Sequence, residues 1–434
     1  MLFIAPSAYP LGGVAEWLDY LLPFLDNRGW DCTLGLTAGH VHDADAYLKR
    51  HPWHAVIRIV NRTGSAEGRI RALESTIRAR PDSLIVSINI SSVYAAVRRI
   101  RQVSSRFNSR LVVALHALEQ CYFDDCAQHA DVIDAVVSPN RLTTRLAAES
   151  LRDASRSFYA PCGVELIGDV ESGLGQRDRN GPTRILFCGR IEQDQKRVLD
   201  LVELAVALES VKQDFCIVVA GDGPARESLV AAIQSVGLER VFQFLGVLNR
   251  GQVQKVYTGC DLLLITSEWE TGPIVAWEAM SQGLPVVSSR FVGSGLEAAL
   301  QDDVNCLLFP VGDMRGAAGA VIALKNGETR SRLVKGGMDL VRARYSKLAS
   351  SVSWEIAFME ALGLPCLPER ESDTPQEGPS GRLDRWLGSR MGETIRSLVG
   401  RMHVHSDPGG EWPHSTAGVL DQKSFLRRVA ALDR

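Results

Sequence analysis

The 434-residue chain has no run of about 18 apolar residues, so no segment is expected to span a bilayer as a helix. It has no strong excess of either charge. The 48 Lys and Arg against 51 Asp and Glu leave a net charge of −3, which provides no global field for nucleic acid. Its nine cysteines are scattered singly, with no Cys-x-x-Cys. This argues against a structural zinc site or a disulfide framework and suits a reducing, cytoplasmic compartment. The start "MLFIAP" lacks a basic segment and a long apolar core, so it reads as a first strand and not as a signal peptide. No tandem repeat is present, and no Gly-x-Gly-x-x-Gly follows the first strand, which weakens a nicotinamide reading.

What is present is a chain too long for one core. Short β-rich runs alternate with helical patterns throughout. In the first half the strands read at "LFIAP", "CTLGLTAG", "AVIRIV", "SLIVSIN", "RLVVALHA" and "DAVVSP". In the second they read at "RILFCG", "FCIVVAG", "VFQFLG", "DLLLIT", "PVVSS" and "NCLLFP". Cys188, Cys216 and Cys306 fall inside such runs, where a small buried thiol is expected. Uninterrupted apolar strands suit a parallel sheet covered on both faces, with right-handed crossover helices between strands. One such helix starts near Val14, where Val14, Trp17, Leu18, Leu21, Leu22 and Leu25 share one face. The polar, Gly-rich stretch 168–183 divides the halves. The expected organisation is an α/β domain over 1–167 and a second over 183–345. A closing helix follows over 346–364, then a linker and C-terminal extension over 365–434. Within the extension, "PERESDTPQEGPSG" has a disorder-prone composition. Residues 382–402 form a basic, Trp-bearing segment with an amphipathic pattern, a candidate contact for a membrane surface or a partner protein.

Open parallel sheets bind ligands at the carboxyl ends of their strands. After the first strand come Gly12 and Gly13, which let amides at a helix start approach an anion, or simply form a turn. After the fifth comes His116, either a cleft residue or a structural histidine. After "RILFCG" come Arg190 and Lys196: a clamp for a diphosphate, or a solvated pair with Glu192 and Asp194. "GDGP" at 221–224 reads as a plain turn. After "DLLLIT" comes "SEWETGPIVAWEAM", in which Glu270 and Glu278 stand eight residues apart around a helix start. Pro273 suits the first helical turn, and the amides of Ile274 and Val275 would then face a phosphate. Carboxylates accept hydrogen bonds only and suit vicinal hydroxyls. Asp43 and Asp45 form an Asp-x-Asp in a polar stretch and read as surface.

Taken together, these residues resemble the retaining GT-B glycosyltransferases of family 4. "ILFCGRIEQDQKRVLDLVELA", "VVAGDGP", "VFQFLGVL" and the E-x7-E segment "SEWETGPIVAWEAMSQGLPVVSS" are similar to that family's, in the family's order. The resemblance implies two Rossmann-like domains facing a cleft. It implies a UDP- or GDP-linked sugar as donor, a carbohydrate or glycolipid acceptor, and no metal, cofactor or nucleic acid. By the same resemblance Arg190 and Lys196 hold the phosphates and stabilise the leaving group. Glu278 holds ribose, Glu270 the donor sugar, and His116 lies near the reacting sugar. Gly12, Gly13, Gly272, Pro273, Ile274 and Val275 line the donor site. Two departures stand out. Thr271-Gly272-Pro273 replaces the usual Gly-Phe-Gly after the first glutamate, and Lys196 falls one residue late, followed by Arg197 where glycine is usual.

The reaction implied is displacement of a nucleoside diphosphate from an anomeric carbon, with retention. An epimerase or hydrolase on the same fold, or a non-catalytic nucleotide-sugar-binding subunit, are the alternatives. The expected location is the cytoplasm, with the inner face of a membrane as a variant.

Overall fold

The computed structural model describes residues 1–7, 13–38, 43–80, 84–104, 107–167, 181–365, 367, 381–400 and 422–433. Gly12, most of the stretch 168–183, nearly all of "PERESDTPQEGPSG" (368–380) and Met402 lie outside these residues. The chain forms two compact units, Met1–Ala160 with Ser351–Phe425, and Pro161–Ser350 with Leu426–Arg434.

The first unit is built on a seven-stranded sheet. Its strands are β1 (Leu2–Ala5), β2 (Thr33–Ala38), β3 (Val56–Val60), β4 (Leu84–Ile88), β5 (Arg110–Ala114), β6 (Ala135–Ser138) and β7 (Ser157–Tyr159). Their order is β3-β2-β1-β4-β5-β6-β7, and every pairing is parallel. Six of the seven coincide with the β-rich runs. The strand not anticipated, β7, is three half-buried residues at the sheet edge, too short and too mixed for a pattern to register. Helix Gly13–Asn27 buries Trp17, Leu18, Leu21, Leu22 and Leu25 as its spacing predicts. Helix Lys347–Gly363 sends Trp354 and Phe358 into the same aromatic cluster as Phe3 and Trp17.

The second unit has a six-stranded parallel sheet. It comprises β8 (Thr183–Cys188), β9 (Phe215–Ala220), β10 (Phe242–Gly246), β11 (Leu262–Ile265), β12 (Val286–Ser289) and β13 (Leu307–Phe309), in the order β10-β9-β8-β11-β12-β13. Successive residues alternate between two cores, the cause of the uninterrupted apolar runs. Ile185, Ile217, Leu262 and Leu264 enter one core; Leu186, Val218, Leu263 and Ile265 enter the other. Cys306 is buried as expected, whereas Cys188 and Cys216 at the strand ends are half-buried.

The boundaries differ from the composition-based ones. The chain passes between units at Ala160–Pro161 and again inside the helix Lys347–Gly363, at Ser350–Ser351. The reason is local pairing. Val164 bridges Ser346, Ser350 donates to the Pro161 carbonyl at 2.6 Å, and Lys347 meets Glu165 at 2.6 Å. Composition locates a polar stretch but not the contacts that assign its flanks.

The extension also differs from its pattern. The described part of the 382–402 segment, up to Gly400, is not one amphipathic helix but two, Arg382–Leu387 and Ser389–Val399, broken where Gly388 takes φ +78°.

Candidate active site

The strand order of the second unit reverses between β8 and β11, and a crevice at the carboxyl ends is the expected outcome of such a reversal. The loops that leave these two strands carry most of the candidate residues.

After β8 the chain turns at Gly189 (φ +154°), and the loop 189–191 lies backbone to backbone against 221–225. Gly189 and Ile191 donate to the carbonyls of Ala220 and Asp222 at 3.0 and 2.9 Å, and Ala225 donates back to Ile191 at 3.0 Å. A side chain at Gly221 would strike the Gly189 backbone, and one at Gly223 would strike Ile191. "GDGP" is therefore more than the plain turn expected of it: its glycines let two site loops touch.

Arg190 is exposed and only loosely paired, with Glu192 at 3.9 Å. Glu192 instead caps the following turn, accepting from the amides of Asp194 and Gln195 at 2.5 and 3.0 Å. That turn is clasped to the loop after β11. Thr266 donates to the Lys196 carbonyl at 2.6 Å, and the Glu268 amide to the Gln195 carbonyl at 2.7 Å. Arg197 occupies a left-handed conformation (φ +51°). Glycine, the residue that the resemblance leads one to expect there, adopts such a φ without strain, whereas a side chain must be held. Here Asp200 at 2.8 Å and Glu268 at 3.1 Å hold the guanidinium.

The Lys196 ammonium lies 2.6 Å from Glu270 Oε1, and the Ser267 hydroxyl donates to the same oxygen at 2.6 Å. Glu270 and Ser267 are buried. A buried carboxylate requires such partners, because isolated charge is costly away from water. The backbone is fixed as well: the Glu270 amide donates to Val292 at 3.1 Å, and Val292 donates to Glu268 at 2.9 Å.

Gly272 (φ +155°) leads into the helix Ile274–Ser281. Pro273 is not in the first turn but at the cap, with ψ +83°. The Ile274 amide is already donated to the Gly272 carbonyl at 2.8 Å, so it does not face an anion as expected. Val275, the second helical residue, keeps an amide of the kind a helix start leaves for a ligand. Glu278 lies one turn on from Ile274, and Tyr257 donates to its Oε2 at 2.8 Å. Burial, with the nearby Glu278 charge, pushes the Cys188 thiol up to about 11, so it stays protonated beside this pair.

His116 belongs to the first unit. Its amide donates to Asn89 Oδ1 at 3.2 Å. Its ring stacks on Trp354 (5.5 Å between centroids, 10° between planes) and lies 4.7 Å from Trp17. Burial lowers its pKa to about 3, so the ring is neutral at physiological pH. Gly13 is the exposed first residue of its helix. Asp43 caps the helix Ala44–Arg50 and Asp45 pairs with Arg58, in keeping with a surface role.

Three participants were not anticipated. Ser267 lies in the quoted stretch, three residues before Glu270, but a serine after a strand carries no distinguishing pattern. Tyr257 sits in the helix Arg250–Gly259 and reads locally as an apolar residue. Asp433 accepts from the amides of Gly293, Gly295 and Leu296 at 2.6, 3.1 and 2.8 Å, gripping the loop that follows Val292. No local signal links positions so far apart in the chain.

Two parallel, doubly wound sheets define a GT-B architecture. Residues 175–339 match the family model described as Glycosyl transferases group 1. The glycogen synthase of Mycobacterium tuberculosis is 24% identical over 235 residues, covering 52% of this chain and 54% of that protein. The 2-deoxystreptamine glucosyltransferase of Streptomyces kanamyceticus is 35% identical over 136 residues, covering 31% of this chain and 34% of that protein. The matched region thus spans about half the length of the first relative and a third of the second. Among solved structures, Anabaena HepE in complex with UDP and glucose aligns with a TM-score of 0.66 at 17% identity, covering 82% of this chain and 98% of that one.

Proposed function

We propose that the protein is a retaining glycosyltransferase that moves a sugar from a nucleoside-diphosphate sugar to a carbohydrate or glycolipid acceptor. The observation that carries this reading is the pairing of Lys196 with Glu270 beside the helix that bears Glu278, at the switch point of the second sheet. In this reading Glu278, oriented by Tyr257, accepts from the ribose hydroxyls. Glu270 accepts from hydroxyls of the transferred sugar. Lys196 and the exposed Arg190 lie against the diphosphate together with the Val275 amide.

The bond between the anomeric carbon and the diphosphate oxygen breaks, and its electron pair leaves with the nucleoside diphosphate. An acceptor hydroxyl forms the new bond on the same face, and its proton passes to the departing diphosphate. Negative charge grows on the leaving oxygen, where preorganised donors are worth roughly 3 to 4 kcal/mol each. Two side-chain cations perform that task without a metal, and His116 is the residue that the family resemblance assigns to the reacting sugar. UDP is the first nucleotide to try, because the structural relative named above was solved with UDP and glucose.

The test is a panel of UDP-, GDP- and ADP-sugars, each scored by calorimetry for binding and by chromatography for transfer and hydrolysis, with and without a chelator. Transfer with one donor, unaffected by chelation and with the anomeric configuration kept, supports the reading. Epimerised donor, hydrolysis without transfer to any acceptor tried, or binding without turnover would each favour a different function.

A further inference from the structure

The helical hairpin 382–399 is inside out. Its buried side chains are polar: Asp384, Glu393 and Arg396. Five of its exposed side chains are apolar: Trp386 is 87% and Leu398 82% exposed, and Leu387, Met391 and Val399 are each at least half exposed. Along the helix Ser389–Val399, residues 391, 395, 398 and 399 fall on one face by helical spacing, while Gly392, Glu393 and Arg396 fall on the packed face.

The polar face holds the hairpin to the first unit. The Glu393 carboxylate accepts from Thr63 at 2.8 Å and from Ser65 at 2.5 Å, beside the start of the helix Ala66–Ala79. Arg396 pairs with Asp384 at 2.5 Å, and Arg71 donates to the Arg390 carbonyl at 2.8 Å. A side chain at Gly392 would strike Asp384, so the two helices meet as closely as glycine allows. Hydrogen bonds from Thr63, Ser65 and Arg71 thus attach the hairpin to the first unit, the Arg396–Asp384 pair ties its two helices together, and most of its apolar stripe is left outside those contacts.

Charge on the outer side has one sign. Arg382, Arg385 and Arg390 are exposed, whereas both acidic residues of 381–400, Asp384 and Glu393, are buried. A surface combining an exposed Trp, aliphatic side chains and, among the described residues 381–400, exposed charge of positive sign alone complements a medium that is apolar within and negative at its boundary.

We propose that the outer face of the 382–399 hairpin is a docking surface for an anionic phospholipid bilayer. Trp386, Leu398 and their apolar neighbours enter the interfacial layer, and Arg385 and Arg390 meet the headgroup phosphates. This inference does not depend on the donor-site reading.

The test uses the full chain and sedimentation with vesicles of phosphatidylcholine, alone or mixed with phosphatidylglycerol. The protein should bind the mixed vesicles, more weakly as salt rises, and bind the neutral ones poorly. The double substitution Trp386→Ser with Leu398→Ser should weaken binding at least about tenfold, since each removes a buried apolar side chain's worth of transfer energy. Arg385→Glu with Arg390→Glu should remove the preference for anionic lipid. All four positions are exposed, so melting and donor binding should stay as in the parent chain. Failure to bind mixed vesicles at low salt, or unchanged binding by the apolar double variant, would overturn the proposal. So would a concentration-dependent dimer that the Trp386 variant lacks, which would assign the face to a second copy of the chain.

Discussion

The Lys196 ammonium and the Glu270 carboxylate are 2.6 Å apart, joined across 74 residues of chain, and Ser267 shares the same carboxylate oxygen. Lys196→Ala should leave Glu270 with Ser267 as its main support and should destabilise the chain. A double-mutant cycle with Glu270→Ala, read by chemical denaturation, should return a coupling of about 1 to 3 kcal/mol. A coupling near zero would mean that the two charges do not depend on each other.

Glu278 and Glu270 should separate in binding. Glu278→Ala should weaken both the free nucleoside diphosphate and the sugar-linked donor roughly tenfold or more, because ribose is common to both. Glu270→Ala should leave nucleoside diphosphate binding nearly unchanged and impair donor binding and turnover. Calorimetry with both ligands decides. Equal losses in both variants would show that the carboxylates merely hold the loop.

Two buried histidines of the first unit should make it acid-sensitive. Burial lowers His116 to about 3 and His129 to about 4, both below the ordinary value. Below about pH 6.5 the unfolded chain binds protons that the folded chain refuses, so stability falls as pH falls toward the folded values. Each histidine contributes a slope of about 1.4 kcal/mol per pH unit across that window. His116→Gln should flatten the acid limb by about one proton, measured by denaturant titration at a series of pH values. Its turnover should drop with little loss of nucleoside diphosphate affinity if the ring also meets the sugar.

Asp433 should order the loop at 293–296. Asp433→Ala leaves three amides without their acceptor, at a cost of about 1 to 3 kcal/mol for the groups left unsatisfied. Hydrogen exchange at Gly293, Gly295 and Leu296 should accelerate, and Asp433→Asn should retain part of the protection. Unchanged exchange would mean that water replaces the carboxylate without loss.

Gly221→Ala tests the contact between the two site loops. It adds a methyl against the Gly189 backbone and requires φ +134° of a residue with a side chain. Overpacking and strain are each worth about 1 to 3 kcal/mol, so the variant should melt markedly lower than the parent.

The strands were legible because a residue buried on one face of a sheet repeats every second position, and one buried between two helical layers does not interrupt an apolar run. Thus β8, β9 and β11 announce themselves, while β7, three half-buried edge residues, does not. Helix 13–27 was legible for the same reason at a different period. Pattern also brought Arg190, Lys196, Glu270 and Glu278 to the loops and helix start that follow two strand-like runs. Only tertiary structure decided what they touch. Tyr257 on Glu278, Ser267 and Lys196 on one oxygen, and Asp433 on the 293–296 amides are set by which strands lie side by side. The helical hairpin makes the same point in reverse: its apolar stripe was visible in the sequence, but periodicity records that two faces differ and not which one packs. Buried hydrogen-bonding partners, Thr63 and Ser65 for Glu393 and Asp384 for Arg396, turned the polar face inward, because charges that are paired there need no water.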